Sequence, residues 1–169
     1  MKTALILPVA LLLSACGLQP MYAGGGSGVV ARGLADIEVS PIEGRAGWLV
    51  RNALIDNLDI SGKADAAPRY RLDVRLDENL EGFALLSDDT IGRERLTLRA
   101  RYQLVDLASG EIMLDTTAGS DAGIDVVSSD YATIAAAQTA LQNLAVDVAN
   151  RIVTNVALEL RSQNRAAGQ

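Results

Sequence analysis

Histidine is missing from this 169-residue sequence, and cysteine occurs once. Without histidine the commonest general base and the commonest metal ligand are gone, which excludes catalytic triads and zinc sites of the familiar kinds. A single cysteine excludes an internal disulfide. Cations are the minority charge: 15 Lys and Arg stand against 21 Asp and Glu, a net charge of -6. That balance argues against a nucleic-acid-binding surface, which needs clustered cations to displace counterions, and it does not suit broad adhesion to anionic lipid heads. The apolar run from Ala4 to Leu13 is broken by Pro8 and falls short of the ~20 residues that span a bilayer. What is plentiful, 49% hydrophobic residues in a chain of this length, suits one compact domain with a sizeable core.

The amino terminus carries an address. Met1 and Lys2 make a short positive start, the apolar run follows, and small residues at Ser14 and Ala15 precede Cys16, which is a signal-peptide pattern. Leu13-Ser14-Ala15-Cys16 resembles a bacterial lipobox. The resemblance implies that the Cys16 thiol is joined to diacylglycerol, that residues 1–15 are cut away, and that the new amino group is acylated. Each buried methylene contributes about 0.8 kcal/mol, so two or three acyl chains hold a domain at a membrane. Gly17 stands where an inner-membrane retention signal has aspartate, which favours the outer membrane. Removing residues 1–15 takes away Lys2 and leaves 14 basic groups against 21 acidic ones. Gly24-Gly25-Gly26-Ser27-Gly28 predicts a flexible tether, so residues 16–34 are expected to be lipidated terminus and linker, and 35–165 the domain.

Periodicity then sets out the domain. Ile37, Val39 and Ile42 surround a short extended stretch ended by Pro41, as an edge strand would be. Residues 46–60, with Trp48, Leu49, Val50, Ala53, Leu54, Ile55 and Leu58, have helical spacing; Trp48 is expected in the core where this helix meets the sheet. From Tyr70 the period is two, with Leu72, Val74 and Leu76 on one face and Arg71, Asp73, Arg75 and Asp77 on the other. A second alternating run places Leu96, Leu98, Ala100, Tyr102 and Leu104 opposite Arg95, Arg99 and Arg101. After the turn Ala108-Ser109-Gly110 comes a third run, Ile112 to Ala118, which predicts an antiparallel hairpin. Between the first two runs, Phe83 to Ile91 contains Ser87-Asp88-Asp89, the expected tip of a long hairpin. Its apolar residues Phe83, Leu85, Leu86 and Ile91 either form a contact patch or continue the core-facing row. Tyr131, Ile134, Ala137, Leu141, Leu144, Val148, Ile152, Val156 and Leu160 predict one long amphipathic helix, capped by Ser128, Ser129 and Asp130, with residues 166–169 frayed. The expected fold class is α+β: a two-layer sandwich with a mostly antiparallel four-stranded sheet, two helices on one face, and the order β-α-β-β-β-α.

Cys16-Gly17-Leu18-Gln19-Pro20-Met21-Tyr22 resembles the mature start of the alphaproteobacterial LptE family of lipopolysaccharide-assembly lipoproteins, which tends to read Cys-Gly-Phe-x-Pro-Leu-Tyr-Gly. Leu18 and Met21 are conservative departures and Ala23 replaces the usual glycine; the order of elements also fits. The resemblance implies a non-enzymatic plug in the lumen of an LptD-type outer-membrane barrel that assists barrel assembly and delivery of lipopolysaccharide to the cell surface. It implies no resident metal or cofactor beyond the acyl groups on Cys16. In that family basic residues of the sheet and its loops are implicated in lipopolysaccharide binding, whereas the hairpin tip here is acidic, so the candidates are Arg93, Arg95, Arg99 and Arg101. The competing reading of these four is pairing with Asp73 and Asp77 on a solvated face. Two other functions remain open: an auxiliary lipoprotein of an envelope phospholipid (ABC-type) transporter, with an apolar lipid cavity, and a hydrolase using Asp73 with Asp77 or Asp88 with Asp89. Adjacent aspartates at a turn are turn formers first.

Overall fold

The computed structural model describes residues 29–58, 67–85 and 91–167. In chain order the elements are α1 (Val29–Ala35), β1 (Ile37–Val39), α2 (Gly44–Leu58), β2 (Tyr70–Leu85), β3 (Ile91–Asp106), β4 (Ile112–Asp125) and α3 (Asp130–Ala167). The fold is α+β, a four-stranded sheet in the order β1-β2-β3-β4. The meander β2-β3-β4 is antiparallel and β1 joins β2 in parallel.

Two departures from expectation concern the beginning of the domain. Helix α1 lies within the stretch expected to be tether. Seven residues do not hold a helix by themselves; packing does it here, with Leu34 buried and Gly33 lying against Leu160 of α3. Trp48, expected in the core, is 64% exposed. The face of α2 that is covered carries Ala46, Gly47, Val50, Leu54 and Leu58, and Trp48, two residues from Val50, stands about 200° round the helix from it.

The sheet buries one row from each long strand. Leu72 and Val74 of β2, Leu96, Leu98, Ala100, Tyr102 and Leu104 of β3, and Ala118 and Ile124 of β4 meet α3 residues including Leu144, Val148, Ile152 and Val156. Tyr102 is buried with its phenol oxygen accepting a hydrogen bond from Asn155 Nδ2 at 2.8 Å, so the one polar atom of this core aromatic is satisfied. The β3-β4 turn is held by Asp106, whose carboxylate accepts the amide N–H groups of Ala108 (2.8 Å) and Ser109 (3.2 Å). Gly110 there adopts φ 74°, the left-handed region that glycine enters without Cβ strain. Helix α3 starts where expected: the Ser129 hydroxyl accepts from the Ala132 amide at 3.4 Å, the N-cap arrangement.

Strand β4 extends to Asp125, beyond the third run read from the sequence. Its inner row becomes Ala118, Ser120, Ala122 and Ile124, too poor in large apolar residues to show a clear alternation. Helix α3 begins beside the hairpin end of the sheet and runs back toward β1. Its first turns are uncovered: Tyr131, at the head of the predicted buried stripe, is 83% exposed and Ile134 is also exposed. The hairpin tip, residues 86–90, and the side chains of 83–91 lie outside the described residues, as do Cys16 and the tether glycines.

Candidate functional site: the outer face of the sheet

Alternation in β2, β3 and β4 puts most of the charged residues, though not Glu78 and Glu94, on the face away from the helices. From β2 come Arg71, Asp73, Arg75, Asp77 and Glu81; from β3, Arg93, Arg95, Arg99 and Arg101; from β4, Asp115, Asp121 and Asp125. Opposite signs meet mainly between β3 and β4. Arg93 Nε lies 2.7 Å from Asp125 Oδ1, and these two residues are direct partners in the register. Arg101 forks onto Asp115, with Nε–Oδ1 at 3.2 Å and Nη2–Oδ2 at 3.1 Å, while Gln103 Nε2 donates to the same carboxylate at 2.8 Å. Arg95 stands 3.9 Å from Asp121. The Arg95 and Arg101 pairs both run along the same diagonal of the ladder, as a uniformly twisted sheet brings one diagonal closer than the other.

These contacts correct the expected partners. Asp73 is taken by its own strand and by the end of β1: Arg71 Nε donates to it at 3.0 and 3.1 Å, and the Ser40 hydroxyl donates to it at 2.5 Å. Asp77 faces Arg99 in the register but no ion pair forms between them. The acids that serve β3 are therefore on β4, Asp115 within the alternating run that ends at Ala118 and Asp121 and Asp125 beyond it. The pairs also set local ionisation. Hydrogen bonds from Arg101 and then Gln103 hold the Asp115 carboxyl below the ordinary aspartate range. Asp125 likewise raises the Arg93 guanidinium above its ordinary value.

The four candidate arginines thus differ in what they have left to offer. Arg93 and Arg101 are committed to carboxylates, and Arg95 has contacts of its own. Arg99 has no anionic partner among the described residues; its stem passes over Gly119, where an added Cβ would meet Arg99 Cγ at 3.3 Å. Arg75, which the sequence reading did not include among the candidates, is also exposed and without an anionic partner among the described residues, and it lies directly opposite Arg101. Like charges placed opposite one another are unfavourable in a sheet, so Arg75 and Arg99, on either side of the committed Arg101, have spare capacity for an anion.

Beside it runs a groove of about 930 Å³ between the Ser40–Glu43 segment and β2, with Asp73, Arg75, Arg101 and Gln103 on its charged wall. Forked guanidinium groups suit phosphate or carboxylate oxygens. Among the described residues no cluster of acidic or thiol side chains has the composition of a metal site, and no helix is long and apolar enough to cross a membrane.

Comparison with known proteins agrees with this architecture. The profile of the LptE family, described as lipopolysaccharide-assembly, matches residues 34–156. A candidate lipoprotein from Caulobacter crescentus CB15 superposes with a TM-score of 0.64 at 27% identity, covering 80% of this chain and 98% of that one. The rare lipoprotein B from Shewanella oneidensis gives a TM-score of 0.51 at 13% identity over 79% of this chain and 98% of its own. A minor lipoprotein from Acinetobacter baumannii gives 0.54 at 15% identity over 72% and 90%. The last two likenesses concern the fold alone. No curated protein sequence matches the chain.

Proposed function

This chain belongs to the LptE lipopolysaccharide-assembly family, and on that premise we propose that it is an outer-membrane lipoprotein anchored through Cys16 that plugs an LptD-type barrel. In this reading it assists assembly of the barrel and passage of lipopolysaccharide to the cell surface, and it acts by binding rather than by catalysis. The observation that carries the reading is the outer face of the sheet. A domain enclosed by a polar barrel lumen needs a rigid, hydrogen-bonding surface of both signs, and the cross-strand ion pairs between β3 and β4, with the Arg71–Asp73 pair within β2, supply one. Lipopolysaccharide phosphates then fall to the arginines with capacity to spare, Arg99 and Arg75, with Arg101 alongside. Arg93 serves the sheet.

The test has two parts. Crosslinking in intact cells of the native host, with a carboxy-terminal tag and mass spectrometry of the solubilised complex, is expected to join the sheet face to an LptD-like barrel. Recovery of inner-membrane transporter subunits or phospholipid carriers instead would replace this reading with the auxiliary-lipoprotein one. With purified protein, replacing Arg75 and Arg99 together by alanine is expected to weaken lipopolysaccharide binding at least fivefold, while Arg93→Ala changes it less than twofold. Equal losses from both would remove the assignment of the anion site.

A further inference from the structure

The edge strand β1 protects very little of β2. It pairs only along Ile37–Val39 with Tyr70–Leu72, and a last bond runs from the Ser40 amide to the Leu72 carbonyl at 3.1 Å. Pro41 follows. Lacking an N–H, it cannot continue the ladder, and the chain turns away into α2. From Val74 onward β2 has no strand on that side among the described residues. Because the Leu72 carbonyl faces β1, the backbone groups of Val74, Leu76, Glu78 and Leu80 face the same open lane, while the odd-numbered residues bond to β3. Up to Gly82, where the bulge begins, the lane is about 30 Å long.

Long open edges are normally blunted by charges, lysine above all, by proline or by bulges; the charge in the core-side row here is Glu78, which disfavours an apolar or acidic strand but not one that brings a cation. Between Val74 and Gly82 there is neither lysine nor proline. Instead, both ends of the lane have the form of a receptor. The groove bounded by Ile42, Glu43 and Arg75 opens onto it at one end, and Leu80, half exposed, lines the core-side flank at the other. At the other side of the sheet α3 packs along the core-side face of β4, where Ser120 Oγ donates to Asp147 at 3.5 Å.

We infer that this lane is a strand-addition site for an extended segment of another polypeptide, one that alternates apolar with Lys or Arg side chains. Main-chain hydrogen bonds to Val74, Leu76, Glu78 and Leu80 would supply affinity, and the side chains would supply specificity. Asp77 and Glu78 form no ion pair among the described residues and Glu81 lies beyond them, so the lane borders on more acid than base. Cationic side chains complement it. A second copy complements it less well, because antiparallel self-pairing of β2 about Glu78 would set Glu78 against its own copy and leave Asp77 opposite Asn79, with only Glu81 gaining an opposite charge in Arg75. This inference stands apart from the lipopolysaccharide reading, which concerns the outer face and not the edge.

Photo-crosslinking of the full lipidated chain in its native host tests it, with p-benzoylphenylalanine at Leu80 and, as control, at Val146 on the outer side of α3. The expected result is an adduct at Leu80, absent at Val146, mapping to one basic, alternating segment of a second polypeptide. In that background Glu78→Pro removes an N–H that points into the lane and none that bonds to β3, and it is expected to lower adduct yield at least tenfold. Where the proline variant fails to fold, Asp77→Lys with Glu78→Lys is expected to give the same drop. Adducts to a second copy, to the chain's own undescribed residues or to lipid would overturn the inference, as would no adduct or an undiminished yield in both folded variants.

Discussion

Gly47→Ala separates what helix propensity predicts from what this packing predicts. Gly47 lies in the first turn of α2, and alanine in place of glycine within a helix contributes about 1 kcal/mol of stability by propensity alone. The surroundings reverse the sign. An added Cβ would lie 2.6 Å from the Ile42 carbonyl oxygen, 2.7 Å from its carbon and 2.9 Å from Ile42 Cγ2. The first two atoms are backbone, so no rotamer change relieves the contact. The Ser40–Glu43 segment must retreat by several tenths of an ångström, straining the Ser40 amide bond to Leu72 and the Ser40 hydroxyl bond to Asp73 that fasten β1. Overpacking costs about 1–3 kcal/mol, and a clash with backbone that no rotamer relieves belongs in the upper part of that range, about 2–3 kcal/mol, so after the propensity gain a net loss of about 1–2 kcal/mol is expected. For a domain of this size that lowers Tm by roughly 3–10 °C. Thermal and urea unfolding of the unlipidated mature chain measures it, with Gly123→Ala as control because nothing lies within 4 Å of its added Cβ. If Gly47→Ala raises Tm, the path of Ile42 over α2 is wrong, and the bounding of the groove by Ser40–Glu43 falls with it.

The remaining expectations are shorter. Ile152→Ala, at a fully buried site in the middle of α3, is expected to cost about 2–5 kcal/mol in urea unfolding; a cost under 1 kcal/mol would mean the helix does not seat there. Tyr102→Phe removes the acceptor of the Asn155 amide and is expected to cost about 1 kcal/mol. Burial pushes the Tyr102 phenol above its ordinary value, so ultraviolet titration is expected to find one tyrosine ionising after the others. Asp106 and Asp115 both titrate lower in the fold than in the unfolded chain. Their contribution is therefore present above about pH 4 and lost as pH falls further, so a stability that rises on acidification from pH 5 to pH 3 would contradict their pairing. In hydrogen exchange of the isolated protein, the amides of Leu76, Glu78 and Leu80 are expected to exchange much faster than those of Arg75, Asp77 and Asn79, and equal protection would mean that the lane is filled.

Alternation makes β2 and β3 legible, because from Tyr70 to Asp77 and from Arg95 to Leu104 one face is apolar and the other polar. The helical stripe from Leu141 to Leu160 was legible for the same reason. What escaped reading was context. Helix α1 is too short to have a period, and the glycines before it dominate the local composition. The size of Trp48 suggests burial, although the face of α2 is chosen by Val50, Leu54 and Leu58 together. The arginines are recognisable as a set, but which of them are spent depends on the register with β4: Asp115 lies within the third alternating run, whereas Asp121 and Asp125 lie beyond its end at Ala118. Alternation of Arg75 with Asp73 and Asp77 suggests pairing, and only the register shows Arg101 opposite it.

The two ends of the sheet differ because the elements that cover it differ in length. Helix α2, with 15 residues, is about 22 Å long, whereas β2, with 16 residues, extends about 53 Å. Tyr70, Leu72 and Val74 are buried; farther along the same row Leu80 is not. Helix α3 is long enough, at about 57 Å, to run the length of the sheet, yet its packing is concentrated from Leu141 onward and its first turns carry Tyr131 and Ile134 in the open. The end near β1 therefore holds most of the burial that stabilises the fold. The hairpin end holds little of it, so substitutions and partners there can change contacts without unfolding the domain. An open strand edge, uncovered apolar side chains and uncommitted arginines in one small domain are costly features for folding alone, and they are the ones a second polypeptide or a phosphorylated lipid would satisfy.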